Sequence, residues 1–270
     1  MRFLFILLYT SNLFSQTVIH RKINLESQLF ETSGIEKYND NKFISFNDSG
    51  NEPILFILNQ DYKIEGKTNL PVQNFDWEDI TYDGENYFLS DLGNNNGNRK
   101  NLVIHKINSN LELENTINIS YKNQGEFKKD TLNEFDSETI ISWKNRLLIF
   151  SKNRKFLTTE VFEVDKNSSN QKLTRINAFD AKALITSGDY NKETNTLILL
   201  GYNFKREHFL FAFKNFSLKS KLIPRIILLD ELKGKQAEAI KFISKNKLII
   251  TSEAEKNKQP ELWEISISDH

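Results

Sequence analysis

The chain predicts an all-β fold, a β-propeller of five four-stranded blades closed by its N-terminal strand, on three observations. One phrase recurs five times: a small or acidic anchor, a β-run, a tight polar turn, a second β-run and a polar loop. The anchors fall at Gly34, Glu78, Glu138, Gly188 and Glu238, spaced 44, 60, 50 and 50 residues apart. Each phrase runs on into further β-like stretches, so a unit holds four strands, as in propeller arrays and not in unrelated hairpins. The last unit has no fourth strand, while the run Thr17 to Leu25 has no partner of its own, so the first strand is expected to complete the last blade.

Taken in order, the second strands read Phe43 to Phe46, Tyr87 to Ser90, Leu147 to Phe150, Thr196 to Leu200 and Leu248 to Thr251. The turns before them hold residues tolerant of positive φ: Asn39-Asp40-Asn41, Asp83-Gly84-Glu85-Asn86, Lys144-Asn145, Lys192 to Asn195 and Lys245-Asn246. Third strands fit Ile54 to Asn59, Leu102 to Asn108, Thr158 to Asp165, Phe209 to Asn215 and Glu261 to Ser268, all with apolar and aromatic alternation. Fourth strands fit Tyr62 to Leu70, Leu111 to Ser120, Lys172 to Phe179 and Lys221 to Leu229. A sixth blade would have to come from Tyr121 to Phe135, which is short and polar for four strands, so five is the expected count. Trp77, Trp143 and Trp263 are expected to pack between blades, because large aromatics dominate core energetics.

Of the 270 residues, 39% are hydrophobic and 27% charged, a globular balance. Lys plus Arg and Asp plus Glu number 36 each, which leaves no global field for nucleic acid or an anionic membrane. Residues 1–16 open with Met1-Arg2 and the apolar run Phe3 to Tyr9, then turn polar. They read as a secretory signal, too short to span a bilayer, ahead of a single propeller domain over 17–270. A secreted or periplasmic monomer is expected, and with no Cys its stability must come from core packing and bound metal.

In an antiparallel blade, the start of the first strand and the end of the second share one edge of the sheet. With first strands innermost, that edge opens on one mouth of the central channel. The expected metal ligands there are Asp48, Glu78, Asp91, Asn94, Glu138, Asp189, Glu238 and Glu253. Carboxylates crowded at one mouth raise one another's pKa unless a cation neutralises them, and oxygen-only ligands select Ca²⁺ before Mg²⁺. Asp91 to Arg99, with Gly93 and Gly97 among four Asn, reads as the best single ligand loop, although it is not an EF-hand. The competing reading of these acids is turn formers and solvated rim charges. Catalytic candidates are Glu78, Glu138 and Glu238 as acids, with Lys152 and Arg154 as an anion clamp; Arg99, Lys205 and Arg206 lie on equivalent loops. The four His show no metal-ligand spacing.

Asn47-Asp48-Ser49-Gly50, Asp76-Trp77-Glu78-Asp79-Ile80, Asp91-Leu92-Gly93-Asn94-Asn95, Asp136-Ser137-Glu138-Thr139-Ile140, Thr186-Ser187-Gly188-Asp189 and Gln236-Ala237-Glu238-Ala239-Ile240 stand in this order. Together they resemble a family of secreted bacterial β-propellers whose reaction is uncharacterised, similar at longer range to β-propeller phytases and other metal-dependent propellers. The resemblance runs from about Glu31 to Ile265 and implies the fold, and hardly the reaction. The repeated Asp-Pro-Glu-Gly of the phytases is absent, so phytase activity does not carry over.

The expected function is an exported calcium-binding propeller whose acidic mouth takes a small or extended ligand, with metal-assisted phosphoester hydrolysis as its catalytic form. The alternatives are a noncatalytic interaction platform of the cell envelope and a carbohydrate-active enzyme using paired glutamates.

Overall fold

The computed structural model describes residues 17–39, 41–256 and 258–267; the leader reading for 1–16 lies outside them. The strands are β1 (Thr17–Asn24); β2 (Thr32–Tyr38), β3 (Lys42–Asn47), β4 (Ile54–Leu58) and β5 (Ile64–Asn69); and β6 (Trp77–Tyr82), β7 (Tyr87–Asp91), β8 (Leu102–Ile107) and β9 (Leu113–Tyr121). Then come β10 (Ser137–Trp143), β11 (Arg146–Ser151), β12 (Thr159–Asp165), β13 (Asn170–Leu173) and β14 (Arg175–Phe179). The chain continues with β15 (Leu184–Asn191), β16 (Thr196–Tyr202), β17 (His208–Lys214) and β18 (Arg225–Leu229), and ends on β19 (Ala237–Phe242), β20 (Lys247–Ser252) and β21 (Glu261–Ile267).

These form five blades, β2 to β5, β6 to β9, β10 to β12 with β14, β15 to β18, and β19 to β21 with β1. The first strands pack in a ring, β2 on β6, β6 on β10, β10 on β15, β15 on β19 and β19 back on β2, so they are innermost as expected. The N-terminal strand closes the ring by pairing antiparallel with β21, Thr17 opposite Ile267 and Asn24 opposite Glu261. No helix among the described residues is long and apolar enough to cross a membrane.

The apolar alternation read from the sequence supplies five core clusters, one at each boundary between blades. Phe46, Trp77 and Leu89 join the first two, and Phe88, Ile104 and Phe162 the second and third. Phe150, Leu199 and Phe211 join the third to the fourth, Leu210, Ile250 and Trp263 the fourth to the fifth, and Leu29, Phe56 and Leu262 the fifth to the first. The three Trp pack as expected, with Trp77 edge-on to Phe46 at 5.7 Å and Trp143 edge-on to Phe216 at 5.7 Å. The polar turns take the backbone they were chosen for: Asn39, Gly84, Lys144 and Asn195 all have positive φ.

One expected strand divides. The run placed at Lys172 to Phe179 breaks at Thr174. Its first part, β13, pairs parallel with β9 of the preceding blade, and only β14 forms the outer strand of its own. The free outer edge of β9 captures four residues and straps two blades together, which covers an otherwise exposed edge. The insertion 122–136 forms no strand. Gln124 Nε2 donates to Gly97 O at 2.9 Å and the Asp130 amide to Asn96 O at 2.8 Å, so the insertion lies over the loop that follows β7.

Candidate functional site: an acidic channel mouth

Every inner strand carries a β-bulge at the same place. The registers slip between Thr32 and Gly34, Trp77 and Asp79, Ser137 and Thr139, Ile185 and Ser187, and Ala237 and Ala239. The extra residue of each bulge, Ser33, Glu78, Glu138, Thr186 or Glu238, is released from the ladder at the channel mouth. The first and fourth anchors are therefore Ser33 and Thr186, not Gly34 and Gly188. Both use their hydroxyls to tie the ring, Ser33 Oγ donating to Glu78 O at 2.8 Å and Thr186 Oγ1 to Ala237 O at 2.9 Å. The three glutamates remain for chemistry.

A second tier sits on the loops that follow each second strand. The amides of Asp48, Gly93, Lys152 and Glu253 donate to the carbonyls of Glu31, Asp76, Asp136 and Gln236, at 2.8, 3.2, 2.8 and 2.9 Å, and so mark equivalent positions in four blades. At that position the third blade offers a cation and the second no side chain at all. Lys152 Nζ is buried against both carboxylate oxygens of Glu138. Its Nζ also lies 5.4 Å from the ring centre of Tyr202. Arg154 Nη2 meets Asp136 Oδ2 at 3.1 Å and Glu138 Oε1 at 3.7 Å, and donates to Asn95 Oδ1. The proposed anion clamp is thus already engaged by carboxylates.

Glu78 is 4% exposed and its carboxylate has no hydrogen-bond or ion-pair partner among the described residues. Asp48, Asp76 and Glu78 can bring one oxygen each within 4.8 Å of one another, and so can Glu78, Asp136 and Glu138. Gly93 makes the first group possible: a Cβ there would stand 2.0 Å from Glu78 Oε1 and 2.4 Å from the Asp76 carboxyl carbon. Asp76 has one cation, Arg99, whose Nη1 lies 3.8 Å from Oδ2 in a long ion pair.

Electrostatics follow this crowding. Burial first, then neighbouring carboxylates, push Asp48 up to about 7 and hold Glu78 well above the usual carboxylate range. Burial lifts Asp76 to about 6 despite Arg99, and Glu138 to about 7 despite Lys152. Glu238 is well raised by burial and Glu253 lies at about 7, again through burial with Asp48 and Glu31 adding to it. Burial alone would lower Lys152, yet Glu138, Tyr202 and Glu238 together raise it, so it stays a cation and is no nucleophile.

The structure brings together Asp48, Glu78, Glu138, Glu238, Glu253, Lys152 and Arg154 of the sequence candidates. It separates three others. Asp91 is fully buried, accepting from the amides of Phe75 and Asp76 and pairing with Arg99 Nη2 at 2.6 Å, which uses both its oxygens. Asn94 holds the loop, its Oδ1 accepting from the Arg99 amide and its Nδ2 donating to Phe135 O. Asp189 lies about 10 Å down the channel, three strand positions beyond the bulge. There it pairs with Lys241 at 2.7 Å; Lys241 also binds Glu36, and this buried trio closes the other end. Sequence reasoning passed over Asp76, Asp136, Tyr202 and the empty space of Gly93. The repeated Asp-x-Glu of 76–78 and 136–138 was the available signal for the two aspartates.

Fold and site together define a five-bladed β-propeller with an acidic mouth. No family model matches the chain, and no curated protein matches it. Among solved structures it is similar to a glucose dehydrogenase, with a TM-score of 0.54 and 8% identity over 92% of this chain and 100% of that one. It is also similar to virginiamycin B lyase from Staphylococcus aureus, with a TM-score of 0.44 and 12% identity over 88% of this chain; the chain spans 66% of the lyase's length. A quinonprotein alcohol dehydrogenase-like protein from Bacteroides thetaiotaomicron gives a TM-score of 0.42 at 15% identity, over 73% of this chain and 46% of that one. At these identities the likeness extends to the propeller fold alone.

Proposed function

We propose that the mouth is a calcium site, held by Asp48, Asp76 and Glu78, that serves an exported propeller as the anchor of a ligand-binding platform. The observation that carries this reading is the carboxylate of Glu78, buried and unpartnered between two other acids. A buried lone carboxylate costs several kcal/mol unless it is protonated or meets a cation, of order 3–5 kcal/mol by analogy with broken buried pairs. Ca–O distances of about 2.3–2.6 Å put opposed ligands up to about 5 Å apart, which suits the three oxygens and their hard, all-oxygen character. Asp48 lies toward solvent, so the coordination sphere opens outward to a ligand. Titration calorimetry of the metal-free protein with calcium and with magnesium tests it. Calcium binding that disappears in Glu78→Gln supports the site; no heat at millimolar calcium refutes it.

Metal-assisted phosphoester hydrolysis is the second reading, favoured by the second acid group. Glu78 is common to both groups; were each group to hold a cation, the pair would supply the charge stabilisation that in-line displacement at phosphorus needs. Loading the second position requires Lys152 and Arg154 to give up Glu138 and Asp136. A panel of phosphomonoesters and phosphodiesters with calcium decides: hydrolysis lost in Glu138→Gln with the fold intact supports it, and an inactive wild type that holds calcium leaves the platform.

A further inference from the structure

The mouth face is uneven in a way that the acidic well does not explain. Among the described residues, every exposed Phe lies at this end of the propeller, and three belong to one side of it. Phe75 is 49% exposed, Phe156 59% and Phe204 68%, on loops of the second, third and fourth blades. Leaving such rings in water forfeits about 1.5–3 kcal/mol each relative to burial, so a cluster of them at one mouth marks a contact surface.

The same side is cationic. The loops 92–101, 152–158 and 203–207, which follow the second strands of these blades, expose Lys100, Lys155, Lys205 and Arg206 against a single acid, Glu207, whereas the equivalent loop of the first blade, 48–53, carries two acids and no base. Cations accompany the rings: Arg99 lies 5.8 Å from the centre of Phe75, Lys155 lies 5.1 Å from that of Phe156, and Lys205 follows Phe204 directly. Phe has no polar handle for sugar hydroxyls, so rings of this type match apolar side chains better than a glycan face.

We propose that this side of the mouth docks an acidic peptide segment bearing apolar side chains, presented by a partner protein. Its apolar groups cover Phe75, Phe156 and Phe204, and its carboxylates meet the exposed Lys155 and Lys205. The inference rests on the calcium reading in one respect: a bound cation neutralises the acidic well, which otherwise repels an acidic segment.

The test uses the full chain and a labelled synthetic peptide of alternating Asp and Phe, with Asp/Ser and Asn/Phe peptides as controls, read by fluorescence anisotropy. The Asp/Phe peptide is expected to bind more tightly than both controls in calcium and to be released by chelator. Binding should weaken at least about tenfold in Phe156→Ser/Phe204→Ser, with an unchanged Tm and an unchanged calcium heat. In Glu78→Gln, which removes the cation site, calcium is expected no longer to strengthen peptide binding, whereas the double Phe variant keeps its calcium heat, which separates this surface from the cation site. Equal binding of the three peptides, or an unaffected double variant, overturns the proposal. Tighter binding of polygalacturonate through the same two Phe, or self-association abolished by the double variant, overturns it in favour of a polysaccharide or a second copy.

Discussion

Glu78 and Glu138 occupy the same bulge position in neighbouring blades, yet only Glu138 has a cation against its carboxylate. The difference arises one tier out, where Lys152 in one blade stands at the position of Gly93 in the other. A single position thus turns one glutamate into half of a buried ion pair and leaves the other without a partner among the described residues.

The two glutamates therefore respond oppositely to neutralisation. Glu138→Gln strands the ammonium of Lys152 in the interior and is expected to cost about 3 kcal/mol, the lower end for a broken buried pair because Glu238 stays nearby. Glu78→Gln removes a buried carboxyl group without a partner among the described residues and is expected to leave the metal-free protein as stable or more so while abolishing its calcium response. Urea denaturation of both variants, with and without calcium, checks the contrast; equal losses in the metal-free state would contradict it.

Gly93 is required for space. A methyl group there collides with Glu78 Oε1 and the Asp76 carboxyl group, so Gly93→Ala must push both ligands aside. The expected outcome is a folded protein that binds calcium at least about tenfold more weakly, a loss of about 1.4 kcal/mol. Wild-type affinity in this variant would show that the cation does not use these two residues.

The mouth acids give the metal-free protein an inverted pH dependence. Asp48, Glu138 and Glu253 sit at about 7 in the folded state, above their values of 3.8 and 4.5 in free side chains. The folded state binds their protons more tightly, so their contribution is complete below about pH 4 and is lost as pH rises toward 7. Metal-free Tm is expected to fall between pH 5 and 8, and saturating calcium to flatten that slope by adding about 2.7 kcal/mol at 100 times Kd. Differential scanning calorimetry across this range reads both effects.

Much of this arrangement is legible in the sequence, and the illegible part has a physical cause. Strand alternation and recurring anchors reveal five blades, and the unpaired run at Thr17 reveals the closure, because a core face must be apolar and an edge must be covered. The bulge is not legible: it slips the register within the inner strand, so Gly34 and Gly188 look like anchors while Ser33, one residue back, and Thr186, two residues back, hold the positions. Ligand loops misled for a related reason. Asp91 and Asn94 are oxygen donors in a glycine-rich loop, but their oxygens are consumed by backbone amides and Arg99, which only the fold reveals.

His208 governs the acid side. Its ring is buried beside Tyr202, and burial pushes its pKa down to about 4 from 6.5. A depressed imidazole stabilises the fold fully above pH 6.5 and loses that contribution as pH falls toward 4, about 3 kcal/mol across the window. His208→Leu is expected to shift the acid-unfolding midpoint downward, as followed by intrinsic fluorescence. An unchanged midpoint would place the acid-sensitive step elsewhere.

Closure by β1 holds the ring more by pairing than by burial. Most of its residues are exposed, Val18 and Ile19 among them, so its contribution is the ladder to β21 and the contacts Lys22 makes with Glu261 at 2.9 Å and with the Trp263 ring at 5.5 Å. Removing 17–24 is therefore expected to cost a modest amount, about 2 kcal/mol or roughly 4–8 °C in Tm for a chain of this size. The larger effect is on association, because β21 becomes an unprotected outer edge beside an apolar core. Sedimentation velocity of chains beginning at Thr17 and at Leu25 separates the two effects. A shortened chain that stays monomeric with an unchanged Tm would show that the fifth blade is complete without its N-terminal strand.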